Sequence, residues 1–273
     1  MPKLNVKEVM GREAKAQARK DEWRTIYEDC YEFALPQRNL YNGYYEGKVP
    51  GKTKMTRVFD STAMSSTKRF ANRLQAGLFP PNRHWCRLEP GSGIPPELSS
   101  ETQEILDAYR DIMFDQLRQT SFDLAMGEFL LDLCVGTAVM MIMPGDEATP
   151  IRFTAIPQYL VAIEEGANGI VDNVYRKLRI KAEAIKREFP DVKVSTELQD
   201  CMDNKGNEEL DLFDAIIFDQ ETGRYHYHVV WPYKSQELVY REMQSNPFIV
   251  ARFSKTAGEV YGRGPLVDAI ADI

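Results

Sequence analysis

His226 and His228 alternate along a segment that reads as a strand, so both imidazoles stand on one face. Such a pair supplies two of the ligands that a metal site needs. The third histidine, His84, is distant in sequence, and a polar strand face is the preferred reading. Asp211, Asp214, Asp219 and Glu221 suggest the acids of a metal-dependent nuclease. Asp211, Asp219 and Glu221 share strand parity and Asp214 does not. No lysine stands in register with them, and a solvated face is favoured. Gly47-Lys-Val-Pro-Gly51-Lys52-Thr53 imitates a phosphate loop. It has three residues between its glycines where the pattern needs four, and a proline where an N–H should cradle phosphate. With so few histidines, no Ser/His/Asp or Cys/His/Asn constellation can be assigned. No catalytic residue, metal or cofactor is implied.

The best candidate for a contact is basic: Lys48, Lys52, Lys54, Arg57, Lys68, Arg69 and Arg73, preceded by Tyr41, Tyr44 and Tyr45. Cations interleaved with aromatic rings suit nucleic acid. They suit equally a contact with a neighbouring subunit, since residues 181–221 carry five Lys/Arg against twelve Asp/Glu. A solvated basic loop is a third reading of similar weight.

The chain that must position these groups has 273 residues, 43% hydrophobic and 27% charged, enough for one large core or two modest ones. The formal charge of −7 excludes a general DNA-coating protein, because neutralising phosphates needs cations. Cys30, Cys86, Cys134 and Cys201 are far apart and form no CxxC, as expected for free thiols in a reducing compartment. The first residues lack the apolar core of a signal peptide. The apolar stretch Phe122–Met143 contains Asp123, Glu128 and Asp132, which argues against a membrane span.

Residues 7–33 read as one helix with Trp23, Ile26, Tyr27, Cys30 and Tyr31 on one face, stopped by Leu35-Pro36. Asp60 is an N-cap for a helix that buries Met64, Ala71, Leu74 and Leu78, with Phe70 beside them, and ends at Pro80-Pro81. His84–Leu88 reads as a short strand. Ser100–Gln103 fits a capping box for a helix that buries Ile105, Tyr109, Ile112 and Met113. A third helix ends at Gly136, and Thr137–Met143 follows as a buried strand. From about residue 150 the pattern is β. Strands are expected at Ile151–Ala155, Tyr159–Ile163 and Ile170–Arg179. After a short helix at Ala182–Phe189 and an irregular acidic stretch, a meander of four strands runs from Leu210 to Phe253. Pro265 opens a last helix. That helix stops without a C-cap, so the sequence is expected to be the N-terminal part of something longer.

Four segments carry a resemblance through their order and spacing. Tyr31-Glu-Phe-Ala-Leu-Pro36 ends the first helix, and Val58-Phe-Asp60 leads to Leu74-Gln-Ala-Gly-Leu-Phe-Pro-Pro81 and Trp85-Cys-Arg-Leu88. Leu133-Cys-Val-Gly136-Thr-Ala-Val joins helix to strand, and Glu259-Val-Tyr-Gly262-Arg-Gly264-Pro-Leu precedes the last helix. Together they resemble the head-to-tail connecting (portal) proteins of short-tailed, T7-like bacteriophages. The apolar clamps Phe79, Pro80, Pro81 and Trp85, read alone, mean only a domain core.

The resemblance implies a non-enzymatic subunit of a homo-oligomeric ring of about twelve copies, closed by heterologous contacts. The ring sits at one capsid vertex. Double-stranded DNA passes through it during packaging and ejection. Its partners are the major capsid and scaffolding proteins, terminase and tail adaptor proteins, with no membrane. It belongs to the virion and assembles in the host cytoplasm. The implied fold is α+β, N-terminal helices followed by an antiparallel β meander. Residues 1–143 form the mainly helical part of a wing, 144–260 its mainly β part, and 261–273 the start of a stem helix. The rival functions are a metal-dependent nuclease using the Asp211–Glu221 acids and a DNA-binding module using the basic loop.

Overall fold

The computed structural model describes residues 4–38, 58–81, 83–147, 149–166 and 168–273. An α+β fold results: a helical N-terminal part, then two antiparallel sheets. The first helices are α1 (Val6–Asp21) and α2 (Arg24–Ala34). Asn5 and Glu8 cap α1 reciprocally, each side chain accepting from the other's backbone N–H. The single helix expected over 7–33 is broken at Glu22-Trp23 because its halves serve different cores. Val9 and Ala16 of α1 bury against one sheet face, whereas Tyr27, Cys30 and Tyr31 of α2 enter the main core.

α3 (Thr62–Leu78) starts where the Asp60 carboxylate accepts from the Thr62 N–H at 2.7 Å. Thr67 and Ala71 are its buried residues, while Leu78 lies outside the core at 55% exposure. The strand expected at His84–Leu88 is irregular chain. Aromatic packing fixes it instead, with Trp85 against Phe79, Phe114 and Phe122. α4 (Ser99–Gln119) lacks a side-chain cap. In place of a capping box, Gln103 donates to the Leu88 carbonyl and the Asp107 carboxylate. The apolar stripe expected to be buried on α4 is also corrected. Ile105, Tyr109 and Ile112 are 51%, 62% and 58% exposed, and Phe114 is the buried residue.

α5 (Phe122–Val135) is apolar nearly all round and ends at Gly136, whose φ of 146° is open to glycine alone at little strain. β1 (Thr137–Pro144) follows, with Thr137 to Met141 buried. A strand buried on both faces needs neighbours on both edges. One is β2 (Ile151–Ile156). After it come β3 (Val161–Glu165), β4 (Val171–Lys181), the short α6 (Ile185–Glu188), α7 (Thr196–Asn204), β5 (Glu209–Asp219), β6 (Arg224–Trp231), β7 (Gln236–Met243) and β8 (Phe248–Arg252). β8 does not extend the meander. It returns to the free edge of β1, pairing Thr137 with Arg252 and Met141 with Phe248. The meander is the five-stranded sheet β3-β4-β5-β6-β7. The stretch expected to be irregular contains α7, whose first turn is capped by Ser195 Oγ accepting from Leu198 N–H and anchored by buried Leu198. α8 (Pro265–Ala269) closes the described fold, burying Leu266 and Val267.

Candidate functional site

The acids do not gather. Asp211 and Asp219 lie toward opposite ends of β5, about 26 Å apart at the rise of a strand. Asp211 pairs with Arg179 at 2.7 Å. Asp219 caps its own turn, accepting from Glu221 N–H and the Thr222 hydroxyl. Asp214 is fully buried, bound by Arg176 at 2.5 Å and by the Tyr227 hydroxyl at 2.9 Å. Burial first, then the Asp214 charge, pushes the Tyr227 phenol far above its ordinary range, so it stays a neutral donor. In both cases the partner is an arginine in register on β4, opposite its acid. His226 Nδ1 meets the Tyr240 hydroxyl at 2.8 Å and His228 Nδ1 meets Glu237 at 2.9 Å. Among the described residues no three His, Cys, Asp or Glu side chains are placed to hold a metal ion.

Of the basic set, Lys48, Lys52, Lys54 and Arg57 lie outside the described residues, as do the three tyrosines and the phosphate-loop imitation. Lys68, Arg69 and Arg73 are exposed on α3. Arg69, Arg73 and Ser66 rim a groove of about 420 Å³ that Phe70 and Leu74 also line.

What the structure does bring together is the set of four sequence segments, and they meet on one helix. At the N-terminal end of α5, Phe122 packs edge-on against Phe79 and stacks with Trp85, so the clamps after α3 close here. Near its C-terminal end Asp132, 2% exposed, accepts from the Tyr31 hydroxyl at 3.0 Å and pairs with Arg38 at 2.9 Å. Burial pushes the Asp132 carboxyl above its ordinary value, and Arg38 and Tyr31 offset that only in part. Arg38 also donates to the Glu128 carbonyl at 3.0 Å, which ties the chain just past the Tyr31–Pro36 segment to α5 at a second residue. The sequence trace of this pair was one of three acids in an apolar helix, and its partner could not be identified from spacing.

Past the last turn of α5 the fourth segment arrives through the N–H groups of its glycines, with Phe253 bonded beside it. Gly264 N–H donates to the Val135 carbonyl at 3.0 Å, Gly262 N–H to Thr137 Oγ1 at 2.8 Å, and Phe253 N–H to the Gly136 carbonyl at 2.9 Å. A Cβ on Gly136 would overlap the Gly262 carbonyl, one on Gly262 the Gly136 carbonyl, and one on Gly264 the Cys134 carbonyl. Three glycines thus set the approach of α8 to α5. This arrangement positions elements: it is a hub with α2, α3 and α8 held around α5.

The sequence model of the family described as "Bacteriophage head to tail connecting protein" matches residues 6–273. Among curated proteins the chain is similar to the "Probable portal protein" of Bordetella phage BPP-1, 20% identical over 281 residues. That similarity covers 97% of this chain and 49% of the relative, so the chain spans about half the length of the curated relative it matches.

Proposed function

Because this chain belongs to the bacteriophage head to tail connecting protein family, we propose that it is a portal subunit: one segment of a homo-oligomeric ring at a single capsid vertex. The observation that carries the reading is the match over residues 6–273, with its four signature segments converging on α5. In this reading the ring is the conduit for DNA during packaging and ejection, and the platform on which terminase and tail proteins dock. Residues 1–143 and 144–260 form its wing, and the helix opening at Pro265 begins its stem. The subunit acts by geometry and not by catalysis. The ring belongs to the virion and assembles in the host cytoplasm on capsid and scaffolding proteins. The mostly acidic balance of the chain suits a conduit, since acidic surface discourages DNA from sticking. No described helix is long and apolar enough to cross a membrane.

Negative-stain electron microscopy of the full gene product tests the proposal. Rings with a central hole are the expected result, with about twelve subunits, each contacting its neighbours heterologously. Monomers alone, at high concentration and across a range of salt, would overturn it. The nuclease alternative has no gathered site among the described residues. An assay with duplex DNA and magnesium or manganese is expected to show no cleavage that depends on Asp211.

A further inference from the structure

Two surfaces on this chain match each other, and neither is covered by the described residues. The first is on α4, where Ile105, Tyr109 and Ile112 recur at four- and three-residue steps as one exposed stripe about 10 Å long. At helical spacing, Glu101, Glu104, Asp111 and Asp115 all fall along one flank of that stripe. All four are exposed, and Glu101 and Glu104 have no ion-pair partner among the described residues. The second surface is the groove on α3, where half-buried Phe70 and Leu74 form an apolar strip with Arg69 and Arg73 along one flank. Neither arginine has an ion-pair partner among the described residues.

We propose that the α4 stripe of one copy seats in the α3 groove of the next copy, apolar strip on apolar strip, with Glu101 and Glu104 facing Arg69 and Arg73. This inference rests on the ring reading above and deepens it by naming the contact. The occupant is a second copy because one chain carries both halves of the match in charge and in hydrophobicity. Two different patches make the contact heterologous, and such contacts close into rings when their rotation permits. An apolar stripe of this kind, exposed beside unpaired charges, is what an interface centre with a polar rim looks like before its partner arrives.

Sedimentation velocity of the chain at 50 and 500 mM salt tests the contact. All the substituted residues are exposed, so each variant is first required to melt with the wild type. R69E/R73E is expected to raise the concentration of half-assembly at least tenfold at 50 mM salt, and E101K/E104K to do the same. Combining the two pairs restores the charge match and is expected to recover most of the loss. Y109S/I112S is expected to weaken assembly at both salt concentrations, because its contribution is apolar. Assembly that survives all of these variants overturns the inference and leaves the ring reading standing, on another surface. A chain that is monomeric under every condition overturns the inference and counts against the ring itself. If R69E/R73E abolishes retention of a duplex DNA fragment while self-association is unchanged, the groove belongs to nucleic acid and the inference is again overturned.

Discussion

Arg38→Met offers the sharpest test of how the hub is held. Arg38 stands 2.9 Å from a carboxylate that is 2% exposed, and among the described residues no other cation touches that carboxylate. At an effective dielectric of about 20, charges at this distance attract by about 6 kcal/mol, before desolvation is subtracted. Removing one member of such a buried pair destabilises by about 3–5 kcal/mol, because the other charge is left unpaired. The charge-assisted bond to the Glu128 carbonyl adds about 1 kcal/mol. A loss of about 5 kcal/mol is therefore expected at pH 8, a large share of a typical domain's stability.

The sign of the pH dependence follows from the direction of the Asp132 shift. Its folded carboxyl already titrates above the unfolded one, and without Arg38 it titrates higher still. Between the unfolded and folded values the native state holds the extra proton, so stability rises as pH falls through the folded value. Urea unfolding at pH 8 and pH 5 should show the Arg38→Met deficit shrinking at the lower pH. Arg38→Met combined with Asp132→Leu should be more stable at pH 8 than Arg38→Met alone. A deficit under about 1 kcal/mol at pH 8, or one equal at both pH values, would refute the reasoning.

Further outcomes can be checked alongside it. Gly264→Ala forces main chain off the Cys134 carbonyl and weakens the Gly264–Val135 bond; a loss of about 2–4 kcal/mol is expected in urea melts. Phe122→Ala removes the ring shared by Phe79, Trp85 and Phe153 and should destabilise by about 3–5 kcal/mol, whereas Ile112→Ser should change stability by under about 0.5 kcal/mol. Lys20 is buried with its amine donating to the Tyr159 carbonyl; burial first, then the Lys177 charge, lowers its pKa to about 7. The unfolded chain keeps that proton up to about pH 10.4. Stability should therefore rise with pH from about 7 toward 10 and be lowest below 7, and Lys20→Met should flatten the rise in thermal melts.

The α+β order, most element positions and the Gly136 break were legible in the sequence because they rest on local rules: caps, punctuating prolines and periodicity. The failures share a cause, which is that periodicity says a face is apolar but not what covers it. Ile105, Tyr109 and Ile112 have the spacing of a buried stripe and lie exposed. Phe248–Phe253 has the pattern of the fourth meander strand, yet the open edge of β1, over a hundred residues away, claims it. The helix at 196–204 was hidden by an acidic composition with a single fully buried residue, Leu198. At the site, the four signature segments could be read in order, but not their convergence. Tyr31 with Asp132, and Gly136 with Gly262, are pairings across more than a hundred residues that no spacing rule encodes.

The joint between Gly136, Gly262 and Gly264 has a consequence for divergence. A contact made largely of main chain, with Thr137 Oγ1 as its one side-chain acceptor, depends little on the other side chains that flank it. Packing around it can drift freely without turning α8, provided those three positions stay bare. The direction in which α8 leaves the hub is therefore set by backbone fit at these three glycines more than by the side chains around them. In the ring proposed above that direction would be shared by every copy, so a single methyl at any of the three sites would be repeated around the whole circle.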